Sequence, residues 1–207
     1  MNYLAVDLGN VVCNVKFDNF LSELSRTLNL PLEEVNYFLH RTTKLHDMGL
    51  TQISDELRDH FKIKSPVIIE NLIQEWNKVI TADLTMVGYL EKLLDKAVNN
   101  VKIALLSNIG IEHASLIPSI LGGYLYHNSI KFFSCEVGAR KPTFLYYKTF
   151  LDMYPEFKGC VYLDDRIENV SGGEKLGFKS VHFELDKLNK KELQNKLTEI
   201  TSLIYQN

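Results

Sequence analysis

What this chain has little of narrows its identity first. Cysteine is confined to Cys13, Cys135 and Cys160, an odd number without the paired spacing of a metal knuckle. A disulfide framework is therefore not expected, and a reducing compartment, the cytoplasm, is. No apolar run approaches the ~20 residues of a membrane-spanning helix. The opening Met1–Val6 has neither the basic segment nor the long apolar stretch of a secretory leader. Positive charge is not in excess: the formal net charge is −3, which leaves no electrostatic footprint for nucleic acid. Internal repeats and low-complexity segments are absent. The lysine-rich stretch from Lys187 to Lys196 is balanced by Asp186, Glu192 and Glu199, and reads as the solvated face of a terminal helix.

What is present is an ordinary globular composition, 45% hydrophobic and 24% charged over 207 residues, enough for one sizeable domain or a domain with a small insert. Short apolar runs at Tyr3–Val6, Val101–Leu106, Val161–Leu163 and Lys179–Phe183 read as buried strands, with Ile130–Phe133 as a weaker fifth. Helical patterns separate or follow them at Thr85–Val98, Ile111–Leu121, Thr143–Leu151, Ile167–Leu176 and Lys190–Ile204. Strands alternating with helices imply a parallel sheet covered on both faces. The stretch from about Val15 to Asp83 differs. It has no convincing strand run and carries helical patterns at Phe17–Leu28, Leu32–Leu39, Ser54–Phe61 and Val67–Trp76. Pro31 suits a first helical turn, and Ser65-Pro66 reads as a helix start. An all-helical insert thus interrupts an α/β domain just after its first strand.

The residues that end the apolar runs carry the chemistry. Tyr3–Val6 ends in Asp7, Ile103–Leu106 in Ser107-Asn108, and Val161–Leu163 in Asp164-Asp165. In a parallel sheet these ends share one edge, and open α/β sheets bind ligands outside the carboxyl ends of their strands. Carboxylates gathered there call for a cation, and Mg²⁺ takes one or two carboxylates together with water and phosphate oxygens. Ser107 and Asn108 offer hydroxyl, amide and backbone N–H donors to a phosphate. Lys141, held out of the helical region by Pro142, offers a fixed ammonium. An aspartate attacking phosphorus would divide hydrolysis into two displacements through an aspartyl-phosphate. Cys13 lies close by, but reads as a small packing residue. Trp76 and the Phe and Tyr residues read as core.

Asp7-Leu8-Gly9-Asn10-Val11, Leu105-Leu106-Ser107-Asn108, Arg140-Lys141-Pro142 and Leu163-Asp164-Asp165 occur in that order. Together they resemble the four motifs of the haloacid dehalogenase-like superfamily, over nearly the whole chain. The resemblance implies a Rossmann-like core of residues 1–14 and 86–207 with a helical cap of residues 15–85. It implies an Mg²⁺-dependent phosphatase acting on a small phosphorylated metabolite. Asp7 would be the nucleophile and a metal ligand, with the Gly9 carbonyl and Asp165 as further ligands. Ser107, with the Asn108 backbone, would hold the phosphoryl group. Lys141 would steady Asp7 and the phosphate. Asp164 would support Lys141 or the metal, and Asn169 would orient the acidic loop.

One position departs from the usual phosphatase pattern, in which a second Asp stands two residues after the nucleophile to protonate the leaving group. Here it is Gly9, and acid–base help of that kind is worth roughly 10²–10⁴-fold. Three readings stay open. The enzyme uses good leaving groups or recruits a base from the cap; it is a slow enzyme or a phosphate-binding regulatory protein; or it is a 2-haloacid dehalogenase, a branch that also lacks this Asp. The first motif, with its Gly, is similar to that of bacterial α-D-glucose-1-phosphate phosphatases. The Arg140-Lys141-Pro142 and Leu163-Asp164-Asp165 stretches match that subgroup too, and His46-Asp47-Met48-Gly49 through Ile53-Ser54 matches it loosely. In the cap, His40 and Lys44, four residues apart, are the first candidates to reach substrate; Arg41, His46 and His60 come next.

Overall fold

Each central strand divides its side chains between two cores, and parallel pairing brings the strands' carboxyl ends to one edge. The computed structural model describes residues 2–95 and 100–206. Its strands are β1 (Asn2–Val6), β2 (Cys13–Val15), β3 (Ile80–Ala82), β4 (Val101–Ser107), β5 (Ile130–Phe133), β6 (Val161–Asp164) and β7 (Lys179–His182). Its helices are α1 (Asp18–Leu28), α2 (Leu32–His46), α3 (Ile53–Phe61), α4 (Pro66–Asn77), α5 (Leu84–Leu94), α6 (Ile111–Leu121), α7 (Gly123–Asn128), α8 (Ser134–Val137), α9 (Phe144–Met153), α10 (Ile167–Glu174) and α11 (Lys190–Tyr205). The main sheet runs β5-β4-β1-β6-β7, with neighbours parallel throughout. This is the α/β parallel core expected from the sequence. Val98, the end of one expected helix, lies outside the described residues, as does Met1.

The central strands β1, β4 and β6 are buried on both faces along most of their length and are correspondingly apolar, whereas the edge strand β7, Lys179–His182, is polar and only partly covered. Leu4, Val6, Ile103, Leu105, Val161 and Leu163 turn to one face, where α5, α6 and α11 cover them. Ala5, Ala104, Leu106 and Tyr162 turn to the other, against Tyr146, Tyr147 and Phe150 of α9 and Phe157. Small alanines at the sheet centre leave room for those rings. Each fully buried large side chain contributes ~1.5–3 kcal/mol. The chain winds outward from β1 to β4 and β5, then returns to β6 on the other side of β1. The crevice at this reversal lies between the ends of β1 and β6, where Asp7 and Asp164 stand.

Helices α1 to α4 enclose a core of their own around Phe20, Leu24, Val35, Phe38, Leu57 and Trp76. Local signals set their ends. Asn29 and Lys62 take left-handed backbone (φ 51 and 55) to stop α1 and α3. Ser65 caps α4 by accepting from the Ile68 N–H, with Pro66 at the first position. Pro31 stands one place earlier than the first turn of α2, as its N-cap.

Two expectations need correcting here. α2 was read as ending at Leu39 but continues to His46, because its inward stripe of Val35, Phe38, Leu39, Thr42 and His46 turns polar while staying buried. A count of apolar residues stops where burial does not. The stretch read as free of strands is entered through β2 and left through β3, an antiparallel ribbon. Three residues per strand are too few to show alternation. The ribbon joins the four-helix unit to the sheet. Among the described residues no helix is long and apolar enough to cross a membrane.

Candidate active site

Lys141 is the centre of the site, and its side chain is wholly buried. Its ammonium nitrogen lies 2.8 Å from Asp7 Oδ1, 2.6 Å from Asp164 Oδ2 and 2.8 Å from the Leu106 carbonyl. Three acceptors use the three N–H donors of an ammonium, so its position is determined. The backbone is fixed as well: the Lys141 N–H donates to Asn108 Oδ1 (2.8 Å), and Asn108 Nδ2 donates to the Lys141 carbonyl (2.9 Å). The Asn108 side chain thus clamps the Lys141 backbone, using its oxygen and one of its two amide N–H groups. The Lys141-Pro142 peptide is cis.

Asp164, fully buried, is saturated. Oδ2 accepts from Lys141 and from the Tyr162 hydroxyl. Oδ1 accepts from the Arg166 N–H (3.0 Å) and from Asn169 Nδ2 (2.9 Å). Asn169 thus orients the acidic loop through Asp164. Asp165 is more open, and its Oδ2 accepts from Asn10 Nδ2 at 3.1 Å. Asn10 also accepts the Val15 N–H at 3.2 Å, tying the first loop to the last acidic one. The left-handed position of this turn is Asn10 (φ 53), not Gly9. A side chain at Gly9 meets only ordinary contacts, its Cβ 3.5 Å from Val15 Cγ2 and 4.0 Å from Asp7 Oδ2.

Oxygens of Asp7, Asp164 and Asp165 come within 4.8 Å of one another. Burial pushes the Asp7 carboxyl up, Lys141 pulls it down, and Asp164 and Asp165 push it up again, to about 7. For Asp164 burial works in the same direction, but the charge and hydrogen bond of Lys141 outweigh it and hold the carboxyl below its ordinary range. Asp165 is raised by burial, against its bond to Asn10. Burial would deprotonate Lys141, but Asp164 and Asp7 more than compensate and hold it well above its usual value. One ammonium for three carboxylates leaves the cluster short of positive charge. Its all-oxygen donors fit a hard divalent cation.

The cluster faces a cavity of about 450 Å³, lined by Asp7, Gly9, Asn10, Ser107, Asn108, Arg140, Lys141, Asp165 and Asn169. The structure thus brings the sequence-predicted residues to one place, with Asp164 behind Lys141. From the opposite wall α2 contributes Asn36, Leu39, His40, Thr43 and Lys44, followed by Asp47. His40 and Lys44 do share this face. The other three residues suspected in the helical unit do not reach the cavity. Arg41 and His60 pair with each other on the surface at 3.1 Å. His46 is buried, its Nε2 bonded to Glu112 Oε2 at 2.7 Å. Cys13 packs in the core, and burial pushes its thiol up to about 12, with Asp7 and Asp83 adding to the shift. Asp47 carried no role in the sequence beyond its place in a loosely matching stretch; the structure shows Arg140 bonded to it at 2.9 Å.

No family model matches the chain. Its structure is similar to a HAD family enzyme from Bacteroides thetaiotaomicron, seen in complex with magnesium and inorganic phosphate. The identity is 16%, over 93% of this chain and 98% of that one, with a TM-score of 0.77. A predicted HAD-like family hydrolase from Porphyromonas gingivalis superposes with a TM-score of 0.72 at 15% identity, over 95% of this chain and 98% of that one. An L-2-haloacid dehalogenase from Xanthobacter autotrophicus, with chloropropionic acid covalently bound, gives 0.59 at 13% identity, over 96% and 83%. The chain therefore has the fold of haloacid dehalogenase-like enzymes.

Proposed function

We propose that this chain is an Mg²⁺-dependent phosphatase that hydrolyses a small phosphorylated metabolite through an aspartyl-phosphate on Asp7. The observation that carries the reading is the Asp7–Lys141–Asp164 chain beside Asp165 at the floor of a cavity. Asp7, Asp165 and the Gly9 carbonyl would hold the metal; Asp164 has no oxygen to spare. When bound, Mg²⁺ supplies the charge neutralisation that phosphoryl transfer needs. The similar Bacteroides enzyme, seen with magnesium and phosphate, supports this reading.

The chain's own groups supply the rest. Lys141 holds Asp7 Oδ1, which leaves Oδ2 to attack phosphorus. Its charge is balanced by Asp164, so Asp7 can ionise without losing its ammonium partner. Ser107, with the Asn108 backbone, binds the transferring oxygens, and the Asn108 side chain keeps Lys141 in register. The helical unit acts as a cap, and His40, Thr43 and Lys44 read the remainder of the substrate. A polar wall of this kind suits a hydroxylated metabolite. The likeness of the first motif to glucose-1-phosphate phosphatases makes sugar phosphates the first substrates to try.

A screen of sugar phosphates, nucleotides and 4-nitrophenyl phosphate, with Mg²⁺ and with EDTA, tests this. Turnover that requires Mg²⁺ and vanishes in Asp7→Asn is expected. Folded protein that turns over no phosphoester, but releases halide from 2-haloacids without Mg²⁺, would replace the phosphatase by a dehalogenase. Phosphate binding without turnover of either class would leave a binding protein.

A further inference from the structure

Gly9 leaves the phosphatase reading without the group that protonates a departing oxygen, yet a carboxylate outside the Asp7–Asp164–Asp165 cluster also lines the cavity. Three carboxylates line it: Asp7, Asp47 and Asp165. Asp7 is paired with Lys141, and Asp165 with Asn10 beside it. Asp47 comes from the other wall, at the end of α2. It also borders a smaller recess of about 90 Å³ that it shares with Gly9, Ser107 and Asn108. His40 and Lys44 border the main cavity alone and are exposed. His46 borders the recess, but its Nε2 is taken by Glu112.

Asp47 is also held in place from both sides. Its backbone N–H donates to the Thr43 carbonyl (2.8 Å), and its own carbonyl accepts from the Ser134 hydroxyl. Two residues on, Gly49 has φ 70, and a Cβ there would stand 2.7 Å from the Cys135 carbonyl, so this loop lies close against α8. The carboxylate gives Oδ2 to Arg140 at 2.9 Å, while Oδ1 lies 4.0 Å from His46 Nδ1. The charged and titratable groups around it are Arg140 from the loop after α8, Arg166 at the start of α10, Cys135 in α8, and His46 backed by Glu112. Burial pushes its carboxyl up, against the pull of Arg140, His46 and Arg166.

We propose that Asp47 is the general acid and base of this site, taking over from the carboxylate that Gly9 lacks. The proposal rests on the phosphatase reading above. In the first displacement Asp7 Oδ2 bonds to phosphorus, the bond from phosphorus to the leaving oxygen breaks with its electron pair on that oxygen, and the Asp47 proton moves to it. In the second, water bonds to phosphorus, the Asp7–phosphorus bond breaks, and the water proton returns to Asp47. No further reactant is needed.

The test is the leaving-group dependence of kcat/KM with Mg²⁺ on benzyl, phenyl and 4-nitrophenyl phosphate, which share a ring and differ in how badly the leaving oxygen needs a proton. In Asp47→Asn the loss on benzyl phosphate should exceed the loss on 4-nitrophenyl phosphate by ~100-fold. Adding Gly9→Asp to Asp47→Asn should restore much of that difference, because a Cβ at Gly9 meets only ordinary contacts. An equal loss on all three esters would overturn the proposal, reducing Asp47 to a positioning residue for Arg140 and leaving the phosphatase standing. If Asp47→Asn does not fold, Asp47→Ser, which also lacks the carboxyl, must shift the same ratio; an unchanged ratio overturns the proposal. Wild type that hydrolyses neither these three esters nor any sugar phosphate or nucleotide of the screen above would remove the phosphatase reading and this proposal with it.

Discussion

Replacing Asp7 with asparagine should stabilise the metal-free protein while abolishing its turnover. Asp7 is buried beside two further carboxylates, and its pKa rises from 3.8 to about 7 on folding. A carboxyl raised in this way favours the folded state fully below its unfolded value, and the benefit is lost as pH rises through the folded one. At about 1.4 kcal/mol per pH unit, the penalty on wild type grows from nothing near pH 4 to ~4 kcal/mol at most above pH 7. Asparagine cannot ionise and escapes it. For a chain of this size, 1 kcal/mol moves the melting temperature by about 2–4 °C, so Asp7→Asn should melt about 5–15 °C higher at pH 8 in EDTA. At pH 4.5 the difference should be small. Thermal melts of both proteins at the two pH values read this directly. A variant that melts at or below wild type at pH 8, or a difference that ignores pH, would refute the account of a strained carboxylate cluster.

Other perturbations follow from the same contacts. Lys141→Met leaves Asp7 and Asp164 buried without their ammonium and should cost about 3–5 kcal/mol as well as turnover, measured by urea unfolding and the phosphatase assay. Asn10→Ala removes the bonds to Asp165 and to the Val15 N–H from a left-handed position that asparagine tolerates better than alanine, a cost of about 1–2 kcal/mol; it should also weaken Mg²⁺ activation, read as a higher half-saturating Mg²⁺ concentration. Glu112→Ala deprives the buried His46 and the Ile53 N–H of their shared acceptor, and should cost ~1–3 kcal/mol and raise KM, because α2 carries one wall of the cavity. Asn189→Ala breaks the capping box of α11 and should cost ~1 kcal/mol with kcat/KM unaltered, a control far from the chemistry.

The site was legible where chemistry follows strand polarity. Asp7, Ser107 and Asp164 end buried apolar runs, and a parallel sheet must bring such ends together whatever the loops do. Lys141 was legible through its proline neighbour and its motif. Its bonding was not, because the Asn108 clamp and the Leu106 carbonyl are contacts between distant segments. The last turns of α2 escaped because Thr42 and His46 are buried polar residues that periodicity counts as surface. Asp47 escaped for a related reason: a carboxylate at a helix end is common, and nothing local marks one that faces Arg140 across 93 residues. Strands β2 and β3 were too short to announce themselves. Histidines in the helical unit show the opposite failure, since a reactive residue type drew attention to His46 and His60, which the structure spends on packing and pairing.

The covalent step is the centre of this account, and it can be caught directly. Enzyme turning over 4-nitrophenyl phosphate with Mg²⁺ would be quenched in acid, reduced with borohydride, and its peptide containing Asp7 sequenced by mass spectrometry. An acyl-phosphate on Asp7 is reduced to homoserine at that position, and the account predicts this conversion only when substrate and Mg²⁺ are both present. Active enzyme that leaves Asp7 unreduced under the same quench, or that carries the mark on another residue, would contradict it.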